Sequence, residues 1–190
     1  GPETNTENQA AVEDSANRPA EIFTSLAPIT PRGPDQPAPL SYAQQRLWFL
    51  DQLEPQGAFY NIPSALRLRG PLDYEALTWS LNEMARRHEV LRTSFQNQEG
   101  TPAQVIAPSI ALEIPVEDLS ALPEAERDAR ALQLATEEAQ QPFDLAQAPL
   151  IRVRLLRLAE QDHVALFTLH HIIADGWSMT VFTREITALY

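Results

Sequence analysis

From Ser41 onward the chain alternates between two hydrophobic periods. Ser41 heads a short helix predicted over residues 43–50, with Leu47 and Leu50 on one side and Trp48 beside them. Between residues 61 and 69, Ile62, Ser64, Leu66 and Leu68 alternate with Pro63, Ala65, Arg67 and Arg69, the period of a strand with one buried face. Gly70-Pro71 stops that strand. Asp73 caps a helix that buries Leu77, Leu81, Met84 and His88 at i, i+4, i+7 and i+11. Residues 90–98 read as a strand, Gln98-Glu99-Gly100 as a turn, and residues 103–106 as its partner. A further short strand is predicted at 111–116. Pro123 suits the first turn of a helix running to about residue 140. Residues 150–158 and 163–171 form a hairpin with Glu160-Gln161-Asp162 at its tip, and Ser178 caps a last helix still running at Tyr190. Helices and strands interleave without a strict βαβ rhythm, so the fold class is α/β or α+β with a mixed sheet flanked by helices.

Residues 1–39 break this pattern. The first 40 residues hold seven of the 16 prolines and only two arginines. Gly1-Pro2 reads as a protease-cleavage scar, and residues 28–39 as an extended, proline-rich linker or docking segment, because each proline fixes φ and removes a donor. Residues 40–190 form the folded region. With 190 residues and 44% apolar composition the chain can bury a real core.

Charge removes several functions. The net charge is −12 and all 14 basic residues are arginine. Without lysine there is no Schiff-base or phosphate-loop amine, and the acidity argues against nucleic acid. Cysteine is absent, which excludes disulfides, thiolate metal sites and acyl-cysteine intermediates. No apolar run is long enough to span a bilayer, and the expected location is the cytoplasm.

The chemistry concentrates at His170-His171-Ile172-Ile173-Ala174-Asp175-Gly176. Side chains alternate across a strand, so Val164, Leu166, Thr168 and His170 share one face, and Ala165, Phe167, Leu169 and His171 the other. The adjacent histidines diverge and are poorly placed to chelate one metal, so no metal site is expected. One is expected to be structural and one functional. Asp175 has two candidate jobs: acting on a substrate, or holding the turn by accepting hydrogen bonds from an arginine and loop amides. The second is favoured. Gly176 either lets a chain pass close by or is a plain turn glycine. Trp177 either walls a binding site or fills the core, with the core favoured. Ser178 is read as a helix cap rather than a nucleophile. His88 is expected to be a satisfied structural histidine, Tyr42, Trp48 and Phe49 core aromatics, and His163 an exposed residue at the hairpin tip.

Residues 169–178 (LHHIIADGWS) carry an HHxxxDG signature and resemble the condensation domains of nonribosomal peptide synthetases. Residues 41–50 (SYAQQRLWFL) and 87–95 (RHEVLRTSF) are similar to that family's first two motifs. Phe59-Tyr60-Asn61-Ile62-Pro63, Pro142-Phe143-Asp144-Leu145 and Pro149-Leu150-Ile151-Arg152 also look family-like. The resemblance implies an N-terminal chloramphenicol acetyltransferase-like lobe, with the second, C-terminal lobe absent and the isolated lobe catalytically silent. It implies peptide-bond formation, with His171 as the active-site residue and Arg46, Arg87 or Arg92, the arginines of the motifs, as ion-pair partners of Asp175. Substrates would arrive on the phosphopantetheine arms of donor and acceptor peptidyl carrier proteins, with no cofactor bound directly. An epimerisation domain, a coenzyme-A-dependent acyltransferase of the same superfamily and a non-catalytic docking module are the competing readings.

Overall fold

The strand that ends at the paired histidines lies inside a sheet, with a neighbour on either side. The computed structural model describes Gly33 and residues 38–55 and 57–190; most of the expected scar and linker lies outside the described residues. In chain order the elements are β1 (Ala38–Pro39), α1 (Tyr42–Leu53), β2 (Asn61–Arg69), α2 (Tyr74–Arg87), a 3₁₀ turn (Glu89–Arg92), β3 (Thr93–Gln98), β4 (Thr101–Ile106), β5 (Val116–Asp118), α3 (Glu124–Gln140), β6 (Ile151–Ala159), β7 (Asp162–His170) and α4 (Gly176–Leu189). Pro37–Tyr190 forms one compact unit.

The strands divide into two sheets rather than the single one expected: a small sheet ordered β1-β4-β3 and a larger one ordered β2-β7-β6-β5. In the larger sheet β7 pairs antiparallel with β2 and β6, and β5 runs parallel to β6, so this sheet is mixed as expected. Covered on both faces, β7 is buried at seven of its nine residues, and for that reason its sequence is nearly continuously apolar. One face packs against α2 and α4 through Leu81, Met84, Phe167, Leu169, Phe182 and Ile186. The other packs under α3 through Leu134, Leu156, Leu158 and Leu166. Pro63 is tolerated in β2 because that strand is a sheet edge, where a missing N–H breaks no ladder.

Local chemistry accounts for the helix starts. Ser41 and Gln44 form a reciprocal capping box at α1. Asp73 accepts from the Ala76 amide at 2.9 Å and caps α2. The β3–β4 hairpin turns through Glu99 (φ 52°) and Gly100 (φ 88°), the left-handed pair that a two-residue turn requires.

Four expectations are corrected. Residues 89–92 form a 3₁₀ turn, with the Thr93 hydroxyl donating to the Glu89 carbonyl at 2.7 Å, so the strand begins only at Thr93. Residues 111–115 bury Leu112 and Ile114 without a strand ladder, because α2 side chains take their backbone groups: Asn82 both accepts from the Leu112 amide (2.8 Å) and donates to its carbonyl (2.9 Å), and the Tyr74 hydroxyl donates to the Ile114 carbonyl (2.7 Å). His163 is buried rather than exposed, because the tip is only Glu160-Gln161 and Leu68 of β2 lies opposite it. Tyr42 (91% exposed) and Phe49 (58% exposed) are not core residues: they stand on the face of α1 turned away from Leu47 and Trp48, which do pack on the core. No described helix is long and apolar enough to cross a membrane.

Candidate active site

The two histidines part company at the end of β7. His170 turns inward and is 4% exposed, whereas His171 is exposed in the turn that follows. The Ile172 amide donates to His170 Nδ1 at 3.1 Å, so Nε2 carries the ring proton. Burial, with the neighbouring His171 charge adding to it, pushes the His170 pKa down to about 4. At neutral pH this imidazole is an uncharged structural part.

His171 is fixed at its backbone by donation from its amide to the Tyr60 carbonyl at 2.8 Å. Its side chain opens on a cleft of about 590 Å³ that also meets Ser41, Gln44, Arg46, Tyr60, Asp175 and Ser178. One wall is α1, and Gln44 joins that wall to the histidine turn. Its Oε1 accepts from the Ser41 amide at 2.9 Å, and its Nε2 donates to the Ile172 carbonyl at 3.3 Å. The first motif and the histidine motif are thus parts of one site.

Asp175 does not form the expected arginine ion pair. Its Oδ1 accepts from the Ser178 amide (2.8 Å) and the Ser178 hydroxyl (2.7 Å), which makes Asp175 the N-cap of α4 and Ser178 its donor, reversing the expected cap. The Ser178 amide and then its hydroxyl hold the Asp175 carboxyl below the usual carboxylate range. The candidate arginines are otherwise engaged or apart. Arg87 pairs with Glu83 at 2.7 Å, Arg92 pairs with Glu89 at 3.5 Å and donates to the Ala107 carbonyl, and Arg46 lines the cleft without an ion pair among the described residues. The cap needs an oxygen, and its charge adds to the hold. Asp175→Asn is therefore expected to lower the thermal midpoint slightly and Asp175→Ala to lower it further, as read by thermal unfolding at pH 7.

Gly176 opens α4, and among the described residues a Cβ there would meet nothing within 4 Å, so none of their atoms requires its bareness. Trp177 is 78% exposed and not in the core, against expectation. It borders a smaller apolar cavity of about 190 Å³ with Met84, His88, Leu169 and Phe182. His88 is satisfied as expected, with Nε2 2.6 Å from Glu185 Oε2, a contact that lowers the Glu185 pKa.

His170 also dictates a pH dependence of stability. Its pKa is about 4 when folded against 6.5 for the free side chain. Between those values the unfolded chain binds more protons, so stability falls as pH drops below 6.5 and levels off near 4. The slope contributed is at most about 1.4 kcal/mol per pH unit. Urea unfolding at pH 7 and pH 5 checks it: the wild-type difference should exceed that of His170→Asn, which retains an acceptor but does not titrate.

Sequence reading did not single out Gln44 at the site, although its place three residues after Ser41 signals a capping box. It also gave no role to Tyr60, Phe143 or Arg152, which surround His170 and the end of α3.

The family model for the Condensation domain matches residues 35–190. The chain is 53% identical over 163 residues to a linear gramicidin synthase of Brevibacillus parabrevis, covering 86% of this chain and 2% of that protein. It is 48% identical over 164 residues to phosphinothricin tripeptide synthetase PhsC of Streptomyces viridochromogenes, covering 85% and 15%. The crystal structure of the starter condensation domain of rhizomide synthetase RzmA superposes with a TM-score of 0.73 at 27% identity, covering 82% of this chain and 39% of that one. The chain thus spans a small share of the curated relatives it matches and about two fifths of that solved domain. The chain belongs to the condensation-domain family of nonribosomal peptide synthetases.

Proposed function

We propose that His171 serves peptide-bond formation between two carrier-tethered substrates. The observation that carries this reading is the division of labour at the end of β7: His170 is sealed and neutral, while His171 faces an open cleft walled by the first motif. The α-amine nitrogen of an acceptor aminoacyl thioester attacks the carbonyl carbon of a donor acyl thioester. A C–N bond forms, the C–S bond breaks, the amine gives up its surplus proton, and the donor arm leaves as a thiol. A free α-amine has a pKa of about 7.7–8.0, so an appreciable fraction is already neutral near physiological pH. His171 then acts chiefly by accepting a hydrogen bond from the amine and aligning it, with proton removal secondary. Orienting two tethered reactants contributes more than general-base help, which is about 10²–10⁴-fold.

The partners in this reading are donor and acceptor peptidyl carrier proteins, each presenting a phosphopantetheine arm, and the C-terminal lobe of the same domain, which closes the opposite side of the cleft. No cofactor is bound directly. Residues 1–39 act as a linker or docking segment, and the location is the cytoplasm. The test uses the intact domain with an acyl-loaded donor carrier and an aminoacyl-loaded acceptor carrier, followed by intact-protein mass spectrometry. An amide on the acceptor carrier with a freed donor thiol is expected. No amide, or equal rates when free acyl-coenzyme A replaces the donor carrier, overturns the assignment.

A further inference from the structure

We propose that Arg152 is a positioning residue for His171, acting through Phe143 and His170; the proposal rests on the peptide-bond reading above. It starts at the end of α3. A helix leaves its last carbonyls without intrahelical partners, and here side chains from two strands collect them. Arg152 on β6 donates from Nη2 to the Glu138 carbonyl (3.1 Å) and the Gln141 carbonyl (2.8 Å), and from Nη1 to the Pro142 carbonyl (3.3 Å). Its Nε donates to Glu138 Oε1 at 2.6 Å. Asn61 on β2 donates from Nδ2 to the Ala139 and Gln141 carbonyls, both at 2.8 Å. Because β6 and β2 flank β7 on either side, the exit of α3 is tied across the strand that carries the histidines.

Phe143 follows directly. Its ring lies 3.8 Å beneath the Arg152 guanidinium carbon, a cation–π contact, and meets the His170 ring edge-on with centroids 6.1 Å apart. Tyr60 meets His170 at 6.2 Å from elsewhere, and its carbonyl receives the His171 amide. Held between two aromatic rings, His170 keeps Nδ1 aimed at the Ile172 amide. A rotation of that ring would release the Ile172 amide, and the turn bearing His171 would lose a hydrogen bond on its downstream side. The guanidinium is suited to this task because one planar group stacks on a ring while its fork reaches several acceptors; an ammonium is a point charge and cannot do both.

The test is run in the intact domain on Arg152→Lys and Phe143→Leu, alone and combined with His171→Ala. Phe143→Leu leaves the Arg152–Glu138 pair in place, so a folding failure of the arginine variant does not decide the matter. Each substitution should lower kcat by about tenfold to 10²-fold, the scale of a small misplacement, with acceptor KM within about twofold. ¹⁵N-labelled histidine spectra should show His170 passing from a single Nε2–H tautomer to a mixture. In the His171→Ala background the same substitutions should leave the residual rate unchanged. An unchanged His170 signature with unchanged kcat, or the same fractional loss persisting without His171, overturns the proposal. Failure of the peptide-bond reading looks different: the wild-type domain makes no amide while the histidine spectra still respond.

Discussion

In the intact domain, His171→Ala should slow single-turnover amide formation by about 10²-fold or more, the lower range of what a single acid–base or aligning group contributes. The variant should fold normally, because the His171 side chain is exposed and its structural bond, from the amide to the Tyr60 carbonyl, belongs to the backbone. His170→Ala differs in kind: it opens a void between Tyr60 and Phe143 and orphans the Ile172 amide, so stability and activity should fall together. The pH–rate profile separates the two jobs open to His171. If the imidazole aligns an amine that is already partly neutral, the acid limb belongs to the amine, near its pKa of about 7.7–8.0, and survives in His171→Ala at a lower plateau. A limb that disappears with the imidazole would instead make proton removal its main work.

The divergence of His170 and His171 is legible in the sequence because side-chain alternation in a strand is a local rule: one ring of an adjacent pair must differ from the other. Which ring faces open space is a property of tertiary structure, decided by α3 and the Pro142–Phe143 exit covering the His170 side. His163 shows the limit of the same rule. A residue next to a hairpin tip looks exposed until a third strand, β2, pairs with the hairpin and lays Leu68 beside it. Asp175 departs from expectation for a related reason. Its spacing from His171 suggests a charge partner, but the nearest unpaired donors are those of its own helix start, and the Ser178 amide is reached without ordering a long arginine side chain. For Trp177, Tyr42 and Phe49 the only argument for the core is apolar character, which says that a side chain favours burial and not what covers it. Arg152 leaves one readable trace. Glu138 lies one turn after Leu134 on the buried stripe of α3, and a carboxylate there requires a cation.

That carboxylate supplies the largest expected stability change. Glu138→Ala should destabilise the unit by about 3–5 kcal/mol, the cost of breaking a buried ion pair from one side. The Glu138 side chain is 6% exposed and its partner Arg152 22% exposed, so Arg152 loses its counter-charge; Arg154, 4.0 Å from the second oxygen, keeps Glu117 at 3.8 Å. Arg152 keeps its three carbonyl acceptors and its place over Phe143, which puts the expected value at the lower end, about 3 kcal/mol, in urea unfolding of the intact domain. The double variant Glu138→Leu/Arg152→Met should recover most of that loss, since an apolar pair of similar volume leaves no uncompensated charge. It should not recover turnover, because methionine donates nothing to the Gln141 and Pro142 carbonyls. Wild-type stability with reduced kcat in the double variant would assign the pair to aligning the histidine turn. Recovery of both would reduce it to a means of closing the end of α3.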